Sequence, residues 1–187
     1  MLYDKDIREP LSYYLEDRFG KIRILEEVRI ARARADVIMV TPDEIIGIEI
    51  KSNADTYDRL KGQIRNYNRF CDRNYIVVGP RHAGHVSEHI PAFWGILCIY
   101  QDNGRIITEE LREALPNPKV KQADQLSLIW KSELSNILAA GRLPKYAQKS
   151  KAFIRTKLLE KMEWSELKAL LCNELFERDY TVFDSDE

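Results

Sequence analysis

The chain has 187 residues, 44% of them hydrophobic, enough for one sizeable core or for one domain of about 120 residues with an appendage. Its formal net charge of -1 excludes a global attraction to nucleic acid, so any footprint on a polyanion has to be local. Three cysteines without CxxC or Cys/His spacing argue against a disulfide framework or a zinc site, and no apolar run approaches the roughly 20 residues of a membrane span.

From Asp4 to about Phe19, Ile7, Leu11, Tyr14, Leu15 and Phe19 recur at three- and four-residue steps, which predicts an amphipathic helix. Pro10 interrupts the pattern, so a start near Glu9 with Pro10 at the first helical position is the alternative. After Gly20 the period changes. IRILEEVRI, RADVIMV, EIIGIEI and NYIVVG are short runs rich in Val and Ile, with turn chemistry at Thr41-Pro42-Asp43, and read as strands. Between the third and fourth, Leu60, Ile64, Tyr67 and Cys71 give a helical stripe. WGILCIY predicts a fifth strand, with GRIIT as its hairpin partner across Asp102-Asn103-Gly104. Residues 116–124 (PNPKVKQAD) read as a linker into a tail helical over 125–140 and 150–178, and the acidic end DYTVFDSDE is expected to fray. The fold class is therefore α/β: a mixed-sheet core of order α-β-β-β-α-β in residues 1–115, with a helical extension over 125–187.

The stretch from Arg34 to Tyr67 carries the chemistry. Side chains two apart on a strand share a face, so Glu49 and Lys51 project together, opposite Ile46, Ile48 and Ile50. On the preceding strand Asp36 falls on the face of Arg34, opposite Val37 and Met39, and the TPDE turn would bring Asp36 beside Glu49. Two carboxylates converging with backbone carbonyls suit a hard divalent cation, and a lysine beside them could orient a nucleophile or stabilise developing charge.

Asp36, then Glu49-Ile50-Lys51, then Gln63 and Tyr67 on a helix resemble the PD-(D/E)XK nuclease superfamily, whose members include restriction endonucleases, Holliday-junction resolvases and RecB-like repair nucleases. EVRIARARADVIMV, IEIKS and CDRNYIVV are similar to small, mostly uncharacterised bacterial members, including MmcB-type DNA repair proteins, and the resemblance covers residues from about 4 to 100. It implies a restriction-endonuclease-like core and a metal-dependent deoxyribonuclease. Asp36 and Glu49 would be metal ligands, with the Ile50 carbonyl, for Mg²⁺ or Mn²⁺; Lys51 would serve the attacking water, and Gln63 would sit behind the site. Ala35 stands where the motif has proline. Glu27 is the first choice for the upstream acid the family uses, with Asp6 and Glu9 as alternatives.

Arg34 and Tyr67 are expected to touch nucleic acid. So are Lys145, Lys149, Lys151 and Arg155, in a segment from Arg142 to Lys161 with seven cations against the single acid Glu160. That segment is weakly similar to a SAP-type DNA-binding motif; a solvated helix face is the plainer account. His82, His85 and His89 lack the company of further ligands, and Trp94, Cys71 and Cys98 read as core. Function at this level is a Mg²⁺-dependent DNA nuclease of repair, phage or mobile-element context, cytoplasmic, with a homodimer or a partner protein as further expectations. The alternative is a non-catalytic or partner-dependent DNA-binding protein on the same scaffold.

Overall fold

Every residue of the strand Ile45–Lys51 is buried, although its sequence, IIGIEIK, includes a glutamate and a lysine. A strand covered on both faces belongs at the centre of a layered sheet, and the computed structural model, which describes residues 2–31 and 33–179, places it there. The sheet has six strands in sequence order: β1 (Arg23–Ile30), β2 (Ala33–Val40), β3 (Ile45–Lys51), β4 (Arg73–Val78), β5 (Gly95–Asp102) and β6 (Arg105–Arg112). β1 to β3 form an antiparallel meander, β3, β4 and β5 run parallel, and β6 returns antiparallel. The parallel step from β3 to β4 needs a crossover, and α2 (Leu60–Phe70) supplies it. With α1 (Asp4–Phe19) ahead of β1, the order is the anticipated α-β-β-β-α-β. The β5–β6 turn is a two-residue loop whose Asn103 (φ 46) and Gly104 (φ 80) both take the positive φ that suits a twisted hairpin.

The start of α1 is settled against Glu9. The Asp6 carboxylate accepts the Tyr3 N–H at 2.9 Å, Arg8 pairs with Asp4, and Ile7 is buried, so the first turn is anchored and Pro10 is accommodated inside the helix. Two hydrophobic clusters flank the sheet. Ile7, Leu11 and Leu15 of α1 pack on Met39, Ile46, Ile48, Val77 and Leu97. On the other face α2 and the C-terminal helices cover Ile38, Val40, Ile45 and Ile76. Gly47 allows the close approach of α2: a Cβ there would collide with the Tyr67 ring and with Cys71 Sγ. Trp94, Cys71 and Cys98 are buried, as read, and Trp94 donates its indole N–H to Asn68.

After β4 come α3 (Pro80–Ala83) and a 3₁₀ turn at Val86–Glu88. The tail is more divided than its periodicity implied. Instead of helices over 125–140 and 150–178 it forms α4 (Gln122–Leu126), α5 (Lys131–Ala140), α6 (Lys151–Lys161) and α7 (Trp164–Glu177). Trp130 is extended, and its N–H is capped by Glu133 at 2.7 Å, which starts α5 afresh; Met162 is extended too and ends α6. Asn117, within 116–124, donates to the carbonyls of Asn68 and Cys71. Of the acidic end expected to fray, residues 180–187 lie outside the described residues. Among the described residues no helix is long and apolar enough to cross a membrane.

Candidate metal and phosphate site

Alternation of faces breaks on β1 and β2 at the same level. Ile24 packs with the α1 cluster and Leu25 with the opposite one, yet Val28 and Ile30 lie on the Leu25 side. On β2, Ala35 and Val37 fall on opposite sides although they are two apart. The register runs unshifted from Glu26↔Val37 to Val28↔Ala35, but the rung between them, Glu27 with Asp36, is missing. Glu27 has φ 56, a left-handed conformation uncommon for a residue with a Cβ and of a kind that gathers at functional sites. This correction to the simple alternating reading re-aims Asp36 toward β3, where its Oδ2 accepts the Ile50 N–H at 2.8 Å.

The β2–β3 ladder ends at Val37↔Ile48, and the Tyr67 hydroxyl enters from α2 where the strands part. It accepts the Asp36 N–H at 2.9 Å and donates to the Ile48 carbonyl at 3.0 Å. Tyr67 is 1% exposed, so it supports the site from beneath and does not face a ligand, contrary to its expected nucleic-acid contact. Tyr67→Phe should leave the Asp36 N–H and the Ile48 carbonyl without that partner and cost about 1–3 kcal/mol. Urea unfolding should show a lower midpoint at unchanged slope; an unmoved midpoint would mean that the hydroxyl does not tie the strands.

Around this parting lies an open cavity of about 750 Å³, lined by Asp36, Glu49, Ile50, Lys51 and Gln63, with Arg8 and Arg34 at its sides. Glu49 is 0% exposed. Its Oε1 accepts from Lys51 Nζ at 2.6 Å, whereas Oε2 is sealed and has no hydrogen-bond partner. Burial pushes the Glu49 carboxyl up to about 7, the nearby Asp36 charge adds to this, and Lys51 opposes it. Asp36 is also raised by burial, against the Ile50 N–H and Lys51. Two carboxylates held away from water, one with an orphan oxygen, are costly unless a cation shares them. The donor set, all oxygen, with the unpartnered Oε1 of Gln63 on the same wall, fits a hard divalent ion that keeps several waters.

Glu27 lines the cavity, but its carboxylate is engaged: Oε1 accepts from Arg8 at 2.9 Å and Oε2 from Arg34 at 2.5 Å. Asp6 caps α1, and Glu9 accepts from Tyr13 at 3.2 Å; neither lines the cavity. Among the described residues no three His, Cys, Asp or Glu side chains converge as a metal cage, and that includes His82, His85 and His89, which gather around the Tyr57 ring. Lys145 and Lys149 lie outside this cavity, Lys149 over the Phe153 ring, while Lys151 and Arg155 line a separate one. Sequence reasoning missed Arg8. It pairs with Asp4, Glu26 and Glu27 and donates to the Asp36 carbonyl at 3.4 Å, so it braces the irregular rung. The break of phase in ILEEV, two apolar then two acidic residues, was the available signal.

The chain matches the family described as Bacteriophage P4 protein cII over residues 12–184. Among curated proteins it is similar to Protein cII of Enterobacteria phage P4, 23% identical over 127 residues, which are 67% of this chain and 48% of that protein. The chain thus spans about half the length of the curated relative it matches. Among solved structures it is similar to Pyrococcus furiosus SfsA in complex with Ca²⁺, with a TM-score of 0.37, 14% identity and 63% of each chain covered.

Proposed function

The chain belongs to the bacteriophage P4 protein cII family, and from that premise and the cavity's geometry we propose that it is a divalent-metal-dependent nuclease acting on DNA phosphodiester bonds. The observation that carries the reading is Glu49: buried, raised to about 7, with one oxygen on Lys51 and the other on nothing, beside Asp36.

Asp36 Oδ1, Glu49 Oε2 and the Ile50 carbonyl would hold Mg²⁺, or Mn²⁺ in its place, the remaining positions going to water and phosphate. When bound, such an ion supplies Lewis acidity to the scissile phosphate and makes water a better nucleophile. Lys51 keeps its ammonium in the cavity, where it orients the attacking water and stabilises charge growing on the phosphate. Gln63 offers an amide to that water from α2. Arg34, exposed and paired with Glu27, gives the phosphate a guanidinium at the cavity's side, while Arg8 stays with its three carboxylates as a brace. Residues 1–115 act as the catalytic unit, and the helices from 125 extend its hold on DNA across the 116–124 connection.

A second reading has one observation in its favour: Glu27 is committed to two arginines, which leaves two carboxylates for an ion. On it the protein binds DNA without cutting, or cuts only with a partner protein. Purified protein incubated with supercoiled plasmid and with single-stranded DNA, in Mg²⁺, Mn²⁺ or EDTA, separates the readings. Metal-dependent cutting establishes the nuclease; tight binding without cutting under every condition establishes the scaffold or partner-dependent protein.

A further inference from the structure

A second cavity, of about 420 Å³, opens between the edge strand β1 and the C-terminal helices. Arg29 of β1, Trp130 before α5, and Lys151 and Arg155 of α6 stand in its walls. Glu27 lines this cavity and the first, so the two adjoin at one side chain.

Arg155 is in an unusual position for an arginine. One terminal nitrogen donates to the carbonyls of Ser127 at 3.3 Å and Ile129 at 3.4 Å, while Nε is sealed from solvent with no hydrogen-bond partner. Among the described residues no carboxylate pairs with it, and burial alone acts on its pKa, lowering it. Arg178, in the same wall, shows the contrast: Glu133 neutralises it at 2.6 Å. Arg155 is half-buried with its Nε sealed, and a guanidinium partly withdrawn from water without a carboxylate partner carries a desolvation cost that an anion on its terminal nitrogens would offset. Its planar fork matches the oxygens of a phosphate.

We infer that this cavity is a second phosphate subsite, in which Arg155 takes a backbone phosphodiester of the same nucleic acid that enters the first cavity, with Arg29 at the rim. The inference rests on the reading of the first cavity as a DNA site and adds the direction in which the strand leaves it: past Glu27, across β1, toward the start of α6. A small phosphate-bearing molecule presents the same chemistry, so the test has an arm for each source.

DNA binding is followed by fluorescence anisotropy in EDTA, where nothing is cut, over a range of salt concentrations. Arg155→Gln should lower affinity about tenfold and reduce the slope of log affinity against log salt by about one, while leaving Mg²⁺ affinity unchanged. Arg155→Lys should recover the slope, because it restores the charge. Arg29→Glu, on the exposed rim, should weaken binding in the same way and keeps the test intact if Arg155→Gln fails to fold. Wild-type affinity and slope in both Arg155→Gln and Arg29→Glu would overturn the subsite alone. No DNA binding by the unaltered protein, in EDTA or with Mg²⁺ added, would remove the first-cavity reading with it. Inorganic phosphate that raises the melting temperature of the protein but not of Arg155→Gln, with DNA affinity equal in both, would assign the pocket to a small anion instead.

Discussion

Lys51→Ala is expected to fold and to lose metal-dependent cleavage by about two to three orders of magnitude, the usual scale for removing one preorganised charge-stabilising group. Lys51 is, among the described residues, the one cation hydrogen-bonded to Glu49, held at 2.6 Å and 5% exposed. The same burial gives the substitution a second signature. Breaking a buried pair costs about 3–5 kcal/mol when the remaining charge has to stay, but Glu49 need not stay charged. It is already raised to about 7, and without Lys51 it climbs further, so below neutral pH it takes up a proton and the cost shrinks. The variant should therefore be nearly as stable as the parent near pH 5 and clearly less stable at pH 8 by thermal unfolding. Cleavage at the parent rate by the folded variant would take Lys51 out of the mechanism.

Metal affinity should be steeply pH-dependent, and Glu49→Gln should abolish both the affinity and its pH dependence. A carboxyl that titrates near 7 is mostly protonated at pH 6, so an ion must displace a proton to use it. Apparent affinity should fall about tenfold for each pH unit below 7, with up to one proton released per ion by calorimetry in buffers of different ionisation heat. Stability without metal runs the other way. A group raised from 4.5 to about 7 in the folded state favours the fold fully below pH 4.5 and loses that contribution as pH rises through 7, by on the order of 3 kcal/mol. The metal-free protein should thus soften between pH 5 and 8, and added Mg²⁺ should restore it at pH 8. Parent-like Mg²⁺ binding by Glu49→Gln would refute the ligand assignment.

The element order, the helical stripe of α2 and the shared face of Glu49 and Lys51 were legible because each rests on local period and on side-chain alternation, which a sequence displays directly. The split tail was not, since the breaks at Trp130 and Met162 come from capping and packing and not from glycine or proline. The sequence pointed to Asp36 beside Glu49 but mistook how it gets there. A left-handed residue at Glu27, a rung omitted opposite it, and a tyrosine hydroxyl between two strands are cooperative effects of three elements. Arg8 escaped for the same reason: apart from Asp4, its partners lie 18, 19 and 28 residues away.

The two faces of the sheet close at different moments of synthesis. Among the described residues the cluster under α1 draws on nothing beyond Ala114, so it can consolidate as soon as β6 has left the ribosome. The opposite cluster needs Leu126, Ile137, Leu158 and Leu171, which arrive last. Until then Ile38 and Val40 lack their full cover, and a nascent or truncated chain ending near residue 115 presents an apolar strip that invites chaperones or self-association. Native-state hydrogen exchange should record the same asymmetry, with α7 opening at lower free energy than β3.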